Sequence, residues 1–286
     1  MIEHRHDAQA PDRVVILGAC GFVAGASAAR LTHAGVPVLA LGRAELDLAA
    51  PGADKLLAAR LRPTDALLFV SAKAPCKTPD LLMENLAMAR NVVTALADSP
   101  VAHLVYVSSD AVYGESETLV RETSPTVPTS MHGLMHVARE GLLRFGTKVP
   151  LAILRPSLLY GAADPHNGYG PNQFGRLAAE GKPITLFGAG EEQRDHVLID
   201  DVAEIVYRVL ARRSTGVLNI ATGKSLSFRA VAALVAGRTS APVEIIDTPR
   251  RNPITHRHFD ITTCLQAFPD FACQAIEAGL RGRTGS

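Results

Sequence analysis

Short runs of apolar residues, each followed by a stretch with helical spacing, dominate the first half of the chain. Val14–Leu17 (VVIL) contains no polar position and predicts a buried strand. A helix follows to about His33, and Gly35 ends it. Residues 36–42 (VPVLALG) predict a second strand and residues 54–61 a short helix. Ala66–Ser71, His103–Ser108 and Leu151–Leu154 read as further strands. Between them, Leu81–Ala97 repeats apolar residues at Leu82, Leu86, Ala89, Val93 and Leu96, and residues 133–145 also predict a helix. Continuous apolar strands alternating with helices imply a parallel sheet covered on both faces. Right-handed crossovers then give a doubly wound α/β fold of Rossmann type.

The texture changes beyond Gly161. The segment AADPHNGYGPNQ is rich in Gly, Pro and Asn and reads as a long loop. After it come short helices (174–180, 200–212, 228–236) and short strands (184–187, 217–220, 243–246), which predict a smaller α/β domain. The expected division is a flexible tail at 1–12, a sheet domain at 13–160 with return segments near 195–212, and a second domain made mainly of 161–286.

Composition narrows the class without naming a function. The chain has 286 residues, 47% of them hydrophobic, and a net charge of +1, with no basic stripe of the kind that binds nucleic acid. No apolar run approaches the roughly 18–20 residues of a membrane span. The first thirteen residues, MIEHRHDAQAPDR, lack the apolar centre of a signal peptide. Cys20, Cys76, Cys264 and Cys273 are scattered with no CxxC pair, which argues for a reducing compartment and predicts a cytoplasmic protein. His4-Arg5-His6 and His256-Arg257-His258 read as solvated.

The junction of the first strand and first helix carries candidate chemistry. Gly18 opens a tight turn, and Gly21 lets backbone approach a ligand. The spacing is Gly18-x-x-Gly21-x-x-Ala24, and the free N–H groups of the helix start suit a pyrophosphate. The second strand ends in Gly42-Arg43, where a carboxylate would bind a ribose 2′-hydroxyl and select NAD. The Arg43 guanidinium fits a 2′-phosphate instead, which favours NADP over NAD; the competing reading is a solvated arginine, and Glu45 and Asp47 lie close by. Ser108 and Ser109 sit at a strand end, where they either meet a substrate oxygen or cap a turn.

Five stretches taken together resemble the extended short-chain dehydrogenases, the NAD(P)-dependent epimerase/dehydratases that act on nucleotide sugars. They are LGACGFVA (17–24), SSDAVYG (108–114), HGLMHVARE (132–140), RPSLLYG (155–161) and RDHVLIDDVA (194–203). The resemblance covers about residues 13–280. It implies cofactor contacts at Gly18, Cys20, Gly21, Phe22, Val23, Arg43, Asp47, Leu48, Ser71, Ala72, Pro156 and Ser157. It implies substrate contacts at Ser109, Asp110, Asn172 and Arg194, with Arg194 on a diphosphate. It also implies a homodimer built on two helices of the sheet domain.

At the catalytic helix the chain departs from the pattern. The family helix reads YGxxKxxxE, with tyrosine as acid/base and lysine lowering its pKa and holding the nicotinamide ribose. Matching Gly133 and Glu140 puts His132 at the tyrosine position and His136 at the lysine position. Residues four apart share a helix face, so both imidazoles can face one crevice. Three readings stand at this point. One is an active oxidoreductase or epimerase in which Ser109 orients the oxygen, His132 moves its proton and His136 positions the ribose. The second is an NAD(P)-binding sensor or partner subunit without hydride chemistry. The third is a metal site on His132, His136 and Glu140, disfavoured because no other ligand cluster is visible; the expectation is no metal.

Overall fold

A computed structural model describes residues 2–115, 119–165, 167–239, 241–250 and 252–280. Residue 166, in the loop predicted after Gly161, lies outside them, as do residues 281–286 of the second domain.

The sheet domain begins with β1 (Val14–Leu17), α1 (Phe22–His33), β2 (Val38–Leu41), α2 (Ala53–Ala58), β3 (Ala66–Phe69) and α3 (Pro79–Asp98). It continues with β4 (His103–Val107), a 3-10 turn at Asp110–Val112, β5 (Leu119–Val120), α4 (Met131–Gly146) and β6 (Leu151–Pro156). The smaller lobe follows with β7 (Leu158–Tyr160), α5 (Pro171–Ala179), β8 (Ile184–Phe187) and β9 (Gln193–Leu198). Then come α6 (Ile199–Ala211), β10 (Gly216–Ile220), β11 (Ser225–Ser227), α7 (Phe228–Ala236), β12 (Ile245–Thr248), β13 (His258–Phe259), α8 (Thr262–Ala267) and α9 (Ile276–Gly279).

Among the described residues the main sheet runs β10-β6-β4-β3-β1-β2, and each neighbouring pair is parallel. Strand order reverses between β1 and β3, which opens a crevice at their carboxyl ends. Alternate strand residues feed two separate cores. Ile16, Leu68, Val105 and Leu154 pack with Ala24 and Leu31 of α1 and with Val202, Ile205 and Val209 of α6. Leu17, Leu67, Phe69, Tyr106 and Ile153 pack with Leu57 of α2, Met88, Val92 and Leu96 of α3 and Leu143 of α4. The predicted doubly wound sheet is therefore present. The lobe has its own core of Tyr160, Phe174, Ile184, Leu186, Phe228 and Val231.

Three placements differ from expectation. The 217–220 strand is expected in the second domain, but as β10 it pairs with β6 and forms an edge of the main sheet, following α6, which as a return segment packs on α1. The apolar α6 stripe and the apolar strand after it gain more by extending the large core than by covering a small lobe. The opening segment is also tied down. Glu3 and Thr215 exchange backbone hydrogen bonds at 2.8 Å, Gln9 N–H donates to Ala211, and His4 meets Ser214 Oγ at 2.8 Å. Finally, Arg257 is not solvated: its guanidinium donates to the carbonyls of Asp110, Tyr113 and Gly114 at 2.9–3.3 Å.

Candidate active site

The glycine turn has the geometry of a cradle. Gly18 has φ +99°, and a Cβ there would lie 2.8 Å from Ser71 N and 2.9 Å from Ser71 Cα. Only glycine permits both the left-handed backbone and the close approach to the end of β3. The Gly21 N-cap of α1 makes no side-chain cap, so its first-turn N–H groups remain for a ligand.

A cleft of about 540 Å3 opens from this turn along the β1/β3 crevice. Gly18, Cys20, Gly21, Phe22, Val23, Arg43, Asp47, Leu48, Ser71 and Ala72 all line it. Ten positions expected to hold a cofactor are thus brought to one surface. Arg43 is largely exposed and holds Asp47 through Nε at 3.2 Å. Asp47 also accepts the Ala49 N–H; that bond, with the Arg43 and Lys73 charges, keeps its pKa below the ordinary carboxylate value against the effect of burial. Glu45 accepts the Gly42 N–H at 2.9 Å and closes the turn. Lys73 lines the same cleft and pairs with Glu84 of α3. Sequence reasoning misses it, although its position two residues past Ser71 is an available signal.

Pro156 and Ser157 do not line that cleft. Both are buried at the end of β6, and Ser157 Oγ donates to Asp195 Oδ1 at 3.0 Å. Asp195 also takes the Thr222 N–H and hydroxyl and the Lys224 N–H, which ties β9 to the loop after β10.

The catalytic candidates converge where α4 meets the 3-10 turn. Ser130 caps α4 through the Gly133 N–H. A Cβ at Gly133 would lie 2.0 Å from Ala111 O, so this glycine lets the helix start press against the segment holding Ser109. Ser109 Oγ accepts the Ala111 N–H at 3.1 Å, so the capping role weighed in the sequence is present. His132 is half-buried, and its Nδ1 accepts the Cys76 N–H at 3.4 Å. His136 is buried, 2.7 Å from the Tyr106 hydroxyl through Nδ1. The two rings stand edge to face, centroids 4.8 Å apart. Burial lowers the pKa of both histidines, and nearby Arg139 lowers each further. Burial pushes Tyr106 up to about 12, so its hydroxyl keeps its proton.

Other motif residues form scaffold. Glu140 accepts Ser108 Oγ at 2.7 Å and two Arg155 bonds at 2.9 and 2.6 Å. Arg155 also donates to Tyr113, whose hydroxyl donates to Asn219 Oδ1 at 2.7 Å. Glu140 is thereby engaged away from the imidazoles, which removes it from the metal set weighed above.

The substrate-side candidates are engaged within the protein. Asn172 Oδ1 accepts the Gly161 N–H and its amide donates to Asp164 at 2.8 Å. Arg194 is held by Glu192 and by Thr255. Asp110 is buried against Arg257; burial raises its pKa and the Arg257 charge opposes that.

No described helix is long and apolar enough to cross a membrane. Residues 14–221 match the model of the NAD dependent epimerase/dehydratase family. A dTDP-L-rhamnose 4-epimerase of Burkholderia thailandensis is 33% identical over 156 residues, 48% of this chain and 40% of that protein. A dTDP-glucose 4,6-dehydratase of Neisseria gonorrhoeae is 29% identical over 122 residues, 39% of this chain and 34% of that one. The matches therefore span less than half the length of these relatives. In fold, the chain is similar to MoeE5 in complex with UDP-glucose and NAD, with TM-score 0.81, 22% identity and coverage of 94% and 96% of the two chains. It is also similar to the UDP-glucose 4-epimerase of Thermus thermophilus in complex with NAD, with TM-score 0.82, 24% identity and coverage of 94% and 96%. With the family model spanning most of the chain, the protein belongs to the NAD dependent epimerase/dehydratase family.

Proposed function

We propose that the protein is an enzyme that uses a nicotinamide dinucleotide to reduce or epimerise a carbinol or keto carbon of a nucleotide-activated sugar. One observation carries this reading. The loop after β3 forms a wall of the cofactor cleft at Ser71 and Ala72, and its Cys76 amide touches His132. Cofactor groove and candidate proton carrier share one wall.

The Gly18–Val23 turn would hold the pyrophosphate through backbone N–H groups, with Asp47 and Leu48 against the adenosine. When bound, the dinucleotide supplies or accepts a hydride at its nicotinamide ring. Arg43 and Lys73 bring two cations to the adenosine end, which favours NADP, whereas the neighbours named above carry NAD. On the substrate side, Ser109 orients the reacting oxygen and His132 handles its proton. The resemblance gives Arg194 to the diphosphate, for which it would exchange its Glu192 and Thr255 partners for phosphate oxygens. The dTDP- and UDP-sugar relatives support a nucleotide sugar as substrate.

A second reading is favoured by one specific contact. His136 is buried and engaged by Tyr106, so the position that the resemblance gives to lysine carries no cation. A cofactor-binding partner or sensor without turnover follows from that. The test is a panel of nucleotide 4-keto sugars and nucleotide hexoses with NADPH and NADH, for wild type and His132→Ala. Turnover lost in the variant supports the enzyme. No turnover on the whole panel, with cofactor still bound, supports the second reading. Cofactor retained through purification marks an epimerase; cofactor taken up from solution marks a reductase.

We assign a homodimer to the α3/α4 face. Leu134, Leu142 and Phe145 of α4 and Met83 of α3 are large exposed apolar residues, and Phe145 is 93% exposed. Sedimentation should give twice the chain mass, falling to one chain mass for Phe145→Glu. Unpaired thiols at all four cysteines suit a cytoplasmic setting.

A further inference from the structure

Arg139 is the least expected residue of the catalytic helix. Its side chain is fully buried, yet its polar partners are uncharged: the Ser71 carbonyl at 2.6 Å and the Met135 sulfur at 3.8 Å. The guanidinium carbon lies 4.3 Å from the Phe69 ring centroid and 5.2 Å from that of Tyr106, and Nε has no hydrogen-bond partner among the described residues. A guanidinium does not give up its proton, so a fixed positive charge sits inside the domain. Arg139 follows His136 by three positions and His132 by seven, which places all three on one side of α4.

A second observation concerns His132 itself. Its Nδ1 accepts the Cys76 backbone N–H. An accepting ring nitrogen carries no proton, so the single proton of the neutral ring sits on Nε2. The imidazolium, with N–H on both nitrogens, would set Nδ1–H against that amide. We propose that His132 meets the substrate oxygen as an uncharged Nε2–H donor, fixed in that tautomer by the Cys76 amide and kept uncharged by its half-buried setting together with the enclosed Arg139 cation, so that the site polarises a carbonyl. This rests on the enzyme reading above and narrows it to reduction of a keto sugar.

The surroundings agree. From β4 the Tyr106 hydroxyl faces the pair and stays protonated. From the loop after β3 come the Ser71 carbonyl and Cys76, whose thiol is raised by burial and neutral. On α3, Glu84 is taken by Lys73. Burial, and then the Arg139 charge, lower the His132 pKa.

Atoms and electrons balance in this step. A hydride from a reduced nicotinamide dinucleotide forms the new C–H bond, and the carbonyl π pair moves onto oxygen. That oxygen takes the Nε2 proton. The imidazolate left behind, next to the Cys76 amide and the Arg139 cation, is reprotonated by water. A neutral imidazole donor polarising a carbonyl is an established catalytic device. Abstraction of a hydroxyl proton is disfavoured here, because the free ring nitrogen already bears one.

The test needs neither substrate nor cofactor. Long-range 1H–15N spectra of the 15N-histidine-labelled full chain, with His132 assigned by His132→Gln, report tautomer and charge between pH 5.5 and 8. The expected result is neutral Nε2–H at pH 7. In Arg139→Met the protonation midpoint should rise by at least about 0.5 pH unit, and Arg139→Lys should restore the wild-type value. A protonated ring at pH 7, an Nδ1–H tautomer, or an unmoved midpoint in a folded Arg139→Met overturns the proposal. If Arg139→Met does not fold, the wild-type spectrum and Arg139→Lys decide it. Failed turnover with the expected tautomer sinks the enzyme reading instead, so the two failures are separable.

Discussion

Glu140 offers a decisive perturbation, because the metal reading makes it a ligand and the structure makes it a scaffold residue. It is not among the residues that line the cofactor cleft. It anchors a buried network of Ser108, Arg155, Tyr113 and Asn219 across β4, α4, β6 and β10. The Arg155 and Glu140 side chains are 3% and 6% exposed. Burial works against the charge on Arg155, and the hydrogen bonds and charge of Glu140 more than offset it. Glu140→Gln keeps the size and one acceptor but leaves the guanidinium without its counter-charge. Breaking a buried pair in this way costs about 3–5 kcal/mol. The retained acceptor puts the expected loss near the lower end, about 3 kcal/mol. At roughly 2–4 °C per kcal/mol for a chain somewhat smaller than this one, Tm should fall by roughly 6–12 °C. The chain has no Trp, so far-UV circular dichroism with tyrosine fluorescence is the suitable readout. Arg155→Met and the double variant complete a cycle, and the coupling should exceed about 1 kcal/mol. Cofactor affinity of the folded variant should stay within about threefold of wild type, under about 0.7 kcal/mol. A Tm within about 2 °C of wild type, combined with a tenfold loss of cofactor affinity, would refute the scaffold assignment.

Three further outcomes follow from single sites. Gly18→Ala forces a Cβ onto the Ser71 backbone and a left-handed φ on alanine, so cofactor binding by calorimetry should fall at least tenfold, with a stability loss of about 1–3 kcal/mol. Arg43→Ala should weaken NADPH several-fold and leave NADH nearly unchanged, since only the 2′-phosphate needs the cation; equal effects on both would remove the NADP preference. His103 is buried with its pKa depressed to about 4, mainly by desolvation, and Nε2 2.7 Å from Ser214 O. The unfolded ring titrates near 6.5. Between those values the unfolded state binds the extra proton, so stability falls as pH drops from about 6.5 to 4, by about 3 kcal/mol when complete. Folded His103→Gln should show a shallower acid loss in urea titrations at pH 7 and pH 4.5; parallel losses would refute the assignment.

Much of the sheet domain is legible in the sequence because its signals are local. VVIL and ALLF are short continuous apolar runs, and HLVYV is one after its first residue; their length and β-branched or aromatic content suit strands buried on both faces, and the observed strands lie within the expected ranges. Gly18 is legible for the same reason, since a tight strand-to-helix turn is written in neighbouring residues. Helix boundaries shift by a few positions, as with α4 at Met131–Gly146 against 133–145, because the Ser130 cap acts outside the periodic stretch.

What the polar motif residues touch was decided by tertiary structure. Ser157 reads in the sequence as a cofactor contact, but its hydroxyl meets Asp195, 38 positions away. Arg257 reads as solvated, yet it clamps Asp110, 147 positions away. Arg139 gives no local sign that its charge is enclosed. Sequence by itself determined the alternation of strands and helices, the glycine turn and hence the fold, because backbone geometry and burial periodicity act over a few residues. The joining of β10 to the main sheet, the division of motif residues into scaffold and cleft, and the environment of His132 arise from packing between distant segments. Those contacts depend on which faces meet, and no local pattern encodes that.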